Sequence, residues 1–192
     1  MWDALNSYEL NILDFIAKHI KCAFLDLFMP LITLLGEDGI FFIALAVVML
    51  FFKKTRKTGL CIGAALLMGF IVGNLTMKPL FARMRPYDFN TAFDKSSMLV
   101  EALSDYSFPS GHTLCVFESC VVLFLTQKRY IGIPALVLCS VVAFSRLYLY
   151  VHYPTDVLVG AILGTLFALL SVKLVERGYA LYGARAKNNS AK

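Results

Sequence analysis

Three short clusters in this chain carry the residue types that handle phosphate. The first is KPLFARMRP (78–86), a lysine followed, after six residues, by Arg-Pro. The second is PSGH (109–112). The third is SRLYLYVHYPTD (145–156), which spaces Ser-Arg, His and Asp along one stretch. Lys78, Arg85 and Arg146 supply three positive charges. Arginine offers a planar fork suited to phosphate oxygens, and lysine adds a point charge. Three uncompensated cations at a low-dielectric boundary are costly, so an anion belongs among them. Ser110 is placed to cap a helix, and Gly111 lets a ligand approach the backbone, where the free N–H groups of the first turn point at the anion. His152 and Asp156, four residues apart, form the reactive pair. Asp156 accepts from one ring nitrogen and leaves the other with a free lone pair, a usable nucleophile. His112, in the first turn after PSGH, is placed to donate a proton to the departing oxygen.

The elements that must hold these clusters are membrane helices. The chain has 192 residues, of which 59% are hydrophobic and only 16% charged, and its mean hydropathy is +0.71. A soluble domain is about 25% charged, so this composition indicates a protein of several membrane spans. The net charge of +5 reads as membrane orientation rather than nucleic-acid binding. No cleavable signal peptide is evident, because the first residues lack a basic start and a continuous apolar run.

Residues 5–20 read as an amphipathic segment at the membrane interface. Apolar runs follow at about 22–35, 40–52, 58–77, 111–127, 130–147 and 156–175. The expectation is an all-α, polytopic membrane bundle of about six transmembrane helices, the first one short or partly interfacial, forming a single domain over 1–192 with a disordered tail at about 184–192. The basic linkers KKTRK (53–57) and QKR (127–129) set the cytoplasmic side. Parity then puts all three clusters on the outer face and both termini in the cytoplasm.

Gly59/Gly63, Gly69/Gly73 and Gly160/Gly164 read as tight helix packing. The five cysteines form no CxxC pair and read as small apolar residues rather than disulfides or a metal site. Arg83 and Lys95 read as solvated or headgroup contacts. Glu118, an intramembrane carboxylate six residues after His112, stands equally as a functional candidate and as a hydrogen-bonded structural residue.

KxxxxxxRP, PSGH and SRxxxxxHxxxD are together the signature of the type 2 phosphatidic acid phosphatase (PAP2) superfamily, which this sequence resembles. All three stand intact and in order between residues 78 and 156. The resemblance implies a helical bundle and a metal-independent phosphatase without cofactor. In it, Lys78, Arg85 and Arg146 hold the phosphate with help from Ser110 and Gly111, His152 becomes phosphorylated, Asp156 orients it, and His112 acts as acid and then base. In size the chain is similar to bacterial lipid phosphatases such as phosphatidylglycerophosphatase B and the undecaprenyl-diphosphate phosphatases. The implied partners are the lipid bilayer and a membrane lipid phosphate or diphosphate. Two competing readings remain at this stage: a lipid phosphotransferase using the same phosphohistidine, and a non-catalytic lipid-phosphate binding or transport protein.

Overall fold

The computed structural model describes Trp2–Ser190. Its elements are helices: α1 (Asp3–His19), α2 (Ala23–Thr33), α3 (Ile40–Phe51), α4 (Arg56–Gly69), a π-helical turn (Phe70–Met77), the short α5 (Lys78–Phe81) and α6 (Pro86–Phe89), α7 (Gly111–Thr126), α8 (Arg129–Tyr148) and α9 (Pro154–Ser190). α7 is the centre of the bundle and packs on α4, α8 and α9. Val116, Cys120 and Val122 are fully enclosed there, with Cys61, Ile62 and Ala65 of α4 and Val142 of α8. The α7–α9 contact needs two glycines. A Cβ on Gly160 would lie 2.9 Å from Ser110 O, and one on Gly164 2.7 Å from Leu114 O. A side chain at either position would push α9 away from the start of α7. Gly63 departs from the packing expected of it: a Cβ there would meet nothing within 4 Å, and the residue borders a cavity instead.

Four stretches are long and apolar enough to cross a membrane: Ala23–Phe51, Arg56–Phe89, Arg129–Tyr148 and Pro154–Gly183. α7 has 16 residues and spans only about 24 Å. Surrounded by other helices, it need not match the bilayer by itself.

The two apolar runs at 22–35 and 40–52, expected as separate spans, form a single candidate span of 29 residues. It is broken at Glu37–Gly39, where Asp38 (φ 48°) and Gly39 (φ 67°) are left-handed. Both ends of α2 are tied to the last turn of α8: the Cys22 N–H donates to the Tyr148 hydroxyl at 3.3 Å, and Arg146 Nη1 donates to the Thr33 hydroxyl at 2.5 Å. So α2 stays at the end of the bundle that carries the motifs.

The Trp2 indole donates to Phe81 O at 3.1 Å, which puts α1 at the motif end. Lys57 pairs with Glu176 at 3.0 Å, which puts the far half of α9 at the opposite end, beside the basic turn 53–57. Trp2 and the far half of α9 therefore lie at opposite ends of the bundle. α9 continues as helix through Ser190, into the stretch expected to be disordered; Ala191 and Lys192 lie outside the described residues.

Candidate active site

The three clusters converge at one end of the bundle, each held by a different local device. Pro79 sits in the first turn of α5, and the left-handed Ala82 (φ 42°) ends that helix. The chain thereby reverses, and Arg83 and Arg85 both turn inward, 0% and 2% exposed. Pro86 then opens α6, the position at which its missing N–H costs nothing. The Ser110 hydroxyl accepts from the Thr113 N–H at 3.4 Å and the Thr113 hydroxyl at 3.0 Å, which caps α7. The Ser110 N–H donates to the Asp156 carbonyl at 3.1 Å. Ser110 is thus built into the junction of α7 and α9, and it is Gly111 that borders the cavity.

Lys78, Arg85, Gly111, His112 and His152 line one cavity of about 950 Å³. Arg85 is fixed by three neighbours. Its Nη1 donates to Val151 O at 2.9 Å and lies 3.3 Å from His152 Nε2; its Nε donates to Asp105 O at 2.9 Å; its Nη2 pairs with Asp105 Oδ1 at 2.5 Å. Lys78 pairs with the other carboxylate oxygen of Asp105. Arg146 is 2% exposed and donates to Thr33, and its Nε has no partner among the described residues.

His152 is buried, with Nδ1 3.5 Å from Asp156 Oδ2, a long contact. Burial, followed by the charges of Arg85, Arg146, His112 and Lys78, holds its proton affinity well below that of a free histidine. That favours the neutral form of the ring. Asp156 is held from its other side, with Oδ2 accepting from the Tyr153 N–H at 2.9 Å and Oδ1 pairing with Arg83 Nη1 at 2.5 Å.

Arg83 corrects the sequence reading. It is fully enclosed rather than solvated. Its guanidinium lies between the rings of Trp2 (4.5 Å) and Tyr153 (3.9 Å). It donates to Asn6 Oδ1 at 2.9 Å, to the Thr155 hydroxyl at 2.7 Å and to Glu9 Oε2 at 2.5 Å, as well as to Asp156. Glu9 also accepts from the Thr155 N–H at 2.7 Å. α1 is thereby stitched to the start of α9 directly behind the His152–Asp156 pair. Lys95, by contrast, is exposed and pairs with Asp88.

Asp105 is the second residue the sequence did not mark. Burial favours its protonation, yet Lys78 and Arg85 outweigh that and hold the carboxyl below its ordinary range. The carboxylate thus bridges two of the three cations. Glu118 is enclosed on α7 and lines the same cavity, its Oε1 unpartnered among the described residues. No cluster of three or more metal-ligating side chains occurs among the described residues.

Beyond the motifs the cavity continues as a groove between α3 and α4, lined by Ile43, Val47, Gly63, Leu67 and Phe70. Its walls are apolar, and these side chains other than glycine are also open to the outside of the bundle. A headgroup-sized polar end joined to a hydrocarbon slot has the shape of a lipid site.

Comparison with known proteins agrees with this geometry. The chain is 33% identical over 136 residues to an undecaprenyl-diphosphatase of Sulfolobus acidocaldarius, covering 71% of this chain and 64% of that protein, just under two thirds of its length. It is 30% identical over 165 residues to undecaprenyl-diphosphatase BcrC of Bacillus subtilis, covering 81% and 82%. The crystal structure of a transmembrane PAP2 type phosphatidylglycerolphosphate phosphatase from Bacillus subtilis superposes with a TM-score of 0.74 at 28% identity, covering 91% of this chain and 88% of that one. The model of the PAP2 superfamily matches residues 58–179. With its three motifs gathered around one cavity in a multi-pass helical bundle, the chain belongs to the PAP2 superfamily.

Proposed function

We propose that this protein is a membrane phosphatase that removes phosphoryl groups from lipid phosphates or diphosphates through a phosphohistidine. The observation that carries the reading is the enclosed His152, whose Nε2 lies beside Arg85 in a cavity shared with Lys78 and His112. A site that only bound lipid phosphate would need the cations and not the nucleophile. The names of the relatives, two of them undecaprenyl-diphosphatases, support a diphosphate among the substrates.

In the first step His152 Nε2 attacks phosphorus and the bond to the leaving oxygen breaks. That oxygen takes the electron pair and a proton from His112. Asp156 steadies the ring from the Nδ1 side as it gains charge. Lys78, Arg85, Arg146 and the first turn of α7 hold the phosphoryl oxygens. In the second step His112 takes a proton from water, the water oxygen bonds to phosphorus, the N–P bond breaks and phosphate leaves. The motif end faces the extracytoplasmic side in this reading, because Lys53, Lys54, Arg56, Lys57, Lys128 and Arg129 gather in the linkers at the other end.

Single-turnover kinetics on two substrates test the roles. General acid catalysis is worth about 10²–10⁴-fold, so His112→Asn loses that much in phosphorylation by an alkyl lipid monophosphate. On p-nitrophenyl phosphate, whose leaving group needs no proton, the loss is much smaller. His152→Ala loses activity on both. Full activity in His152→Ala removes the covalent mechanism, and equal losses in His112→Asn remove the acid role. Absence of phosphate release without an added acceptor lipid identifies a phosphotransferase instead.

A further inference from the structure

Arg85 and Arg146 are both enclosed, but they are held differently. Arg85 donates to Val151 O and to both the carbonyl and the carboxylate of Asp105. The Arg146 side chain makes one hydrogen bond among the described residues, from Nη1 to the Thr33 hydroxyl at 2.5 Å. Its Nε is buried without a partner among them. A buried N–H left in this way costs desolvation until an acceptor meets it. A phosphoryl oxygen is such an acceptor. The charge of Arg146 also bears on His152, which puts the guanidinium within electrostatic reach of the reactive pair. Packing confines the side chain, and the Thr33 hydroxyl fixes how the planar guanidinium is turned.

The sequence of α2 explains how Thr33 comes to be there. In AFLDLFMPLIT it is the one hydroxyl residue, at the last position of the helix. Asp26, Met29 and Thr33 follow one another by three and then four residues, so they share a face. That face lies on the last turn of α8. Met29 and Thr33 are buried, whereas Phe24, Leu27 and Leu31 on the other side are exposed. The Tyr148 hydroxyl donates to Asp26 Oδ1 at 2.6 Å and accepts from the Cys22 N–H at 3.3 Å. These contacts hold the start of α2, and its end then brings Thr33 to Arg146. Docking of α2 has the Tyr148 contacts to rely on, which leaves the Thr33 bond available for a second task.

We propose that Thr33 is a positioning residue, which holds the Arg146 guanidinium at Nη1 so that its other N–H groups receive the phosphoryl oxygens without rearrangement. This rests on the role proposed above for Arg146 in holding the phosphoryl group. A donor set in advance binds an anion more tightly, because less side-chain freedom is lost when the anion arrives.

The test measures the dissociation constant of inorganic phosphate by isothermal titration of the purified full-length protein in detergent, at constant ionic strength. The constant reports the folded molecules alone, so a partly misfolded variant still gives an answer. Thr33→Val, nearly the same shape, should raise it about 10-fold, while Thr33→Ser, which keeps the oxygen, should change it by less than about twofold. In an Arg146→Gln background, Thr33→Val should add less than about twofold, since the group it acts through is gone. Tyr148→Phe, which removes the other ties of α2, should leave phosphate binding unchanged. Equal losses in Thr33→Val and Tyr148→Phe, or a Thr33→Val loss that persists in the Arg146→Gln background, would assign the bond to docking and overturn the proposal. Weaker binding in Arg146→Gln with none in Thr33→Val overturns it while leaving the role of Arg146 intact. Unchanged binding in Arg146→Gln, or no phosphate binding by the wild type, overturns both.

Discussion

Replacing Arg83 with methionine should damage both the stability of the protein and its chemistry, and the two losses can be separated. The guanidinium joins Glu9 to Asp156 and also binds Asn6 and Thr155, all without exposure to solvent. Methionine fills much of the volume and removes the charge, which leaves two enclosed carboxylates without their cation. Breaking a buried pair in this way costs about 3–5 kcal/mol. For a chain of this size that is a fall in Tm of about 6–20 °C. Asp156 keeps its bond from the Tyr153 N–H but loses the contact that fixes its other oxygen, so His152 is less well oriented. Removing a group that orients a functional histidine through its partner costs about 10- to 100-fold, and kcat should fall by that amount. The double variant Arg83→Met/Glu9→Leu replaces the Glu9 pair by apolar groups, which is often neutral for stability. It should regain part of the Tm and none of the kcat, because Asp156 is still unpaired. Thermal unfolding in detergent and phosphate release read the two quantities. If the double variant recovers activity together with stability, Arg83 acts through folding alone. If Arg83→Met changes neither quantity, the network behind His152 has been misjudged.

Asp105→Asn should tighten the binding of inorganic phosphate, since Lys78 and Arg85 lose a competing anion. Its side chain is 47% exposed, so screening limits the effect to about 1 kcal/mol, or about fivefold in the inhibition constant; weaker phosphate binding would show that Asp105 assists the anion. His152 has a depressed proton affinity in the folded state, so the unfolded chain binds the extra proton first as pH falls. Its contribution to stability is therefore present above about pH 6.5 and is lost progressively below that value. His152→Ala should accordingly lose less Tm between pH 7 and pH 5 than the wild type, and an ordinary titration of His152 near pH 6.5 by NMR would refute the sign. In a background without native cysteines, a cysteine at Asp94 should react with an impermeant reagent in intact cells while one at Thr55 does not, and the reverse pattern would invert the protein in the membrane.

The phosphate motifs were legible because their spacing is local: Lys78 to Arg85, Ser110 to His112 and His152 to Asp156 each lie within two or three helical turns. Arg83 was not, because its partners Glu9 and Asp156 lie more than 70 residues away on either side. No spacing rule marks such a pairing. α1 hid the other half of the network. Its amphipathic pattern suggests that polar residues face water, yet Asn6 and Glu9 are enclosed while Tyr8 and Phe15 are 68% and 56% exposed. Beside a membrane, apolar side chains lose little by facing outward, and the enclosed Arg83 draws Asn6 and Glu9 inward. The course of the chain at GEDG (36–39) was hidden for a related reason. Hydropathy registers the polar gap, but the direction of the chain after it depends on two left-handed residues, Asp38 and Gly39, and on the ties of α2 to α8. Asp105 lies in an irregular polar stretch where nothing distinguishes it from the aspartates at 88 and 94 until the fold brings Lys78 and Arg85 to it.

The groove between α3 and α4 is walled by Ile43, Val47, Leu67 and Phe70, side chains that are also exposed on the outside of the bundle. Under the proposed function, a lipid phosphate entering between these side chains stays in its own leaflet, and encounter is a search in two dimensions. Diluting the lipid with inert detergent at constant bulk concentration should then slow the reaction, because the governing variable is the mole fraction of substrate at the surface. Adding more micelles of the same composition should leave the rate per enzyme unchanged.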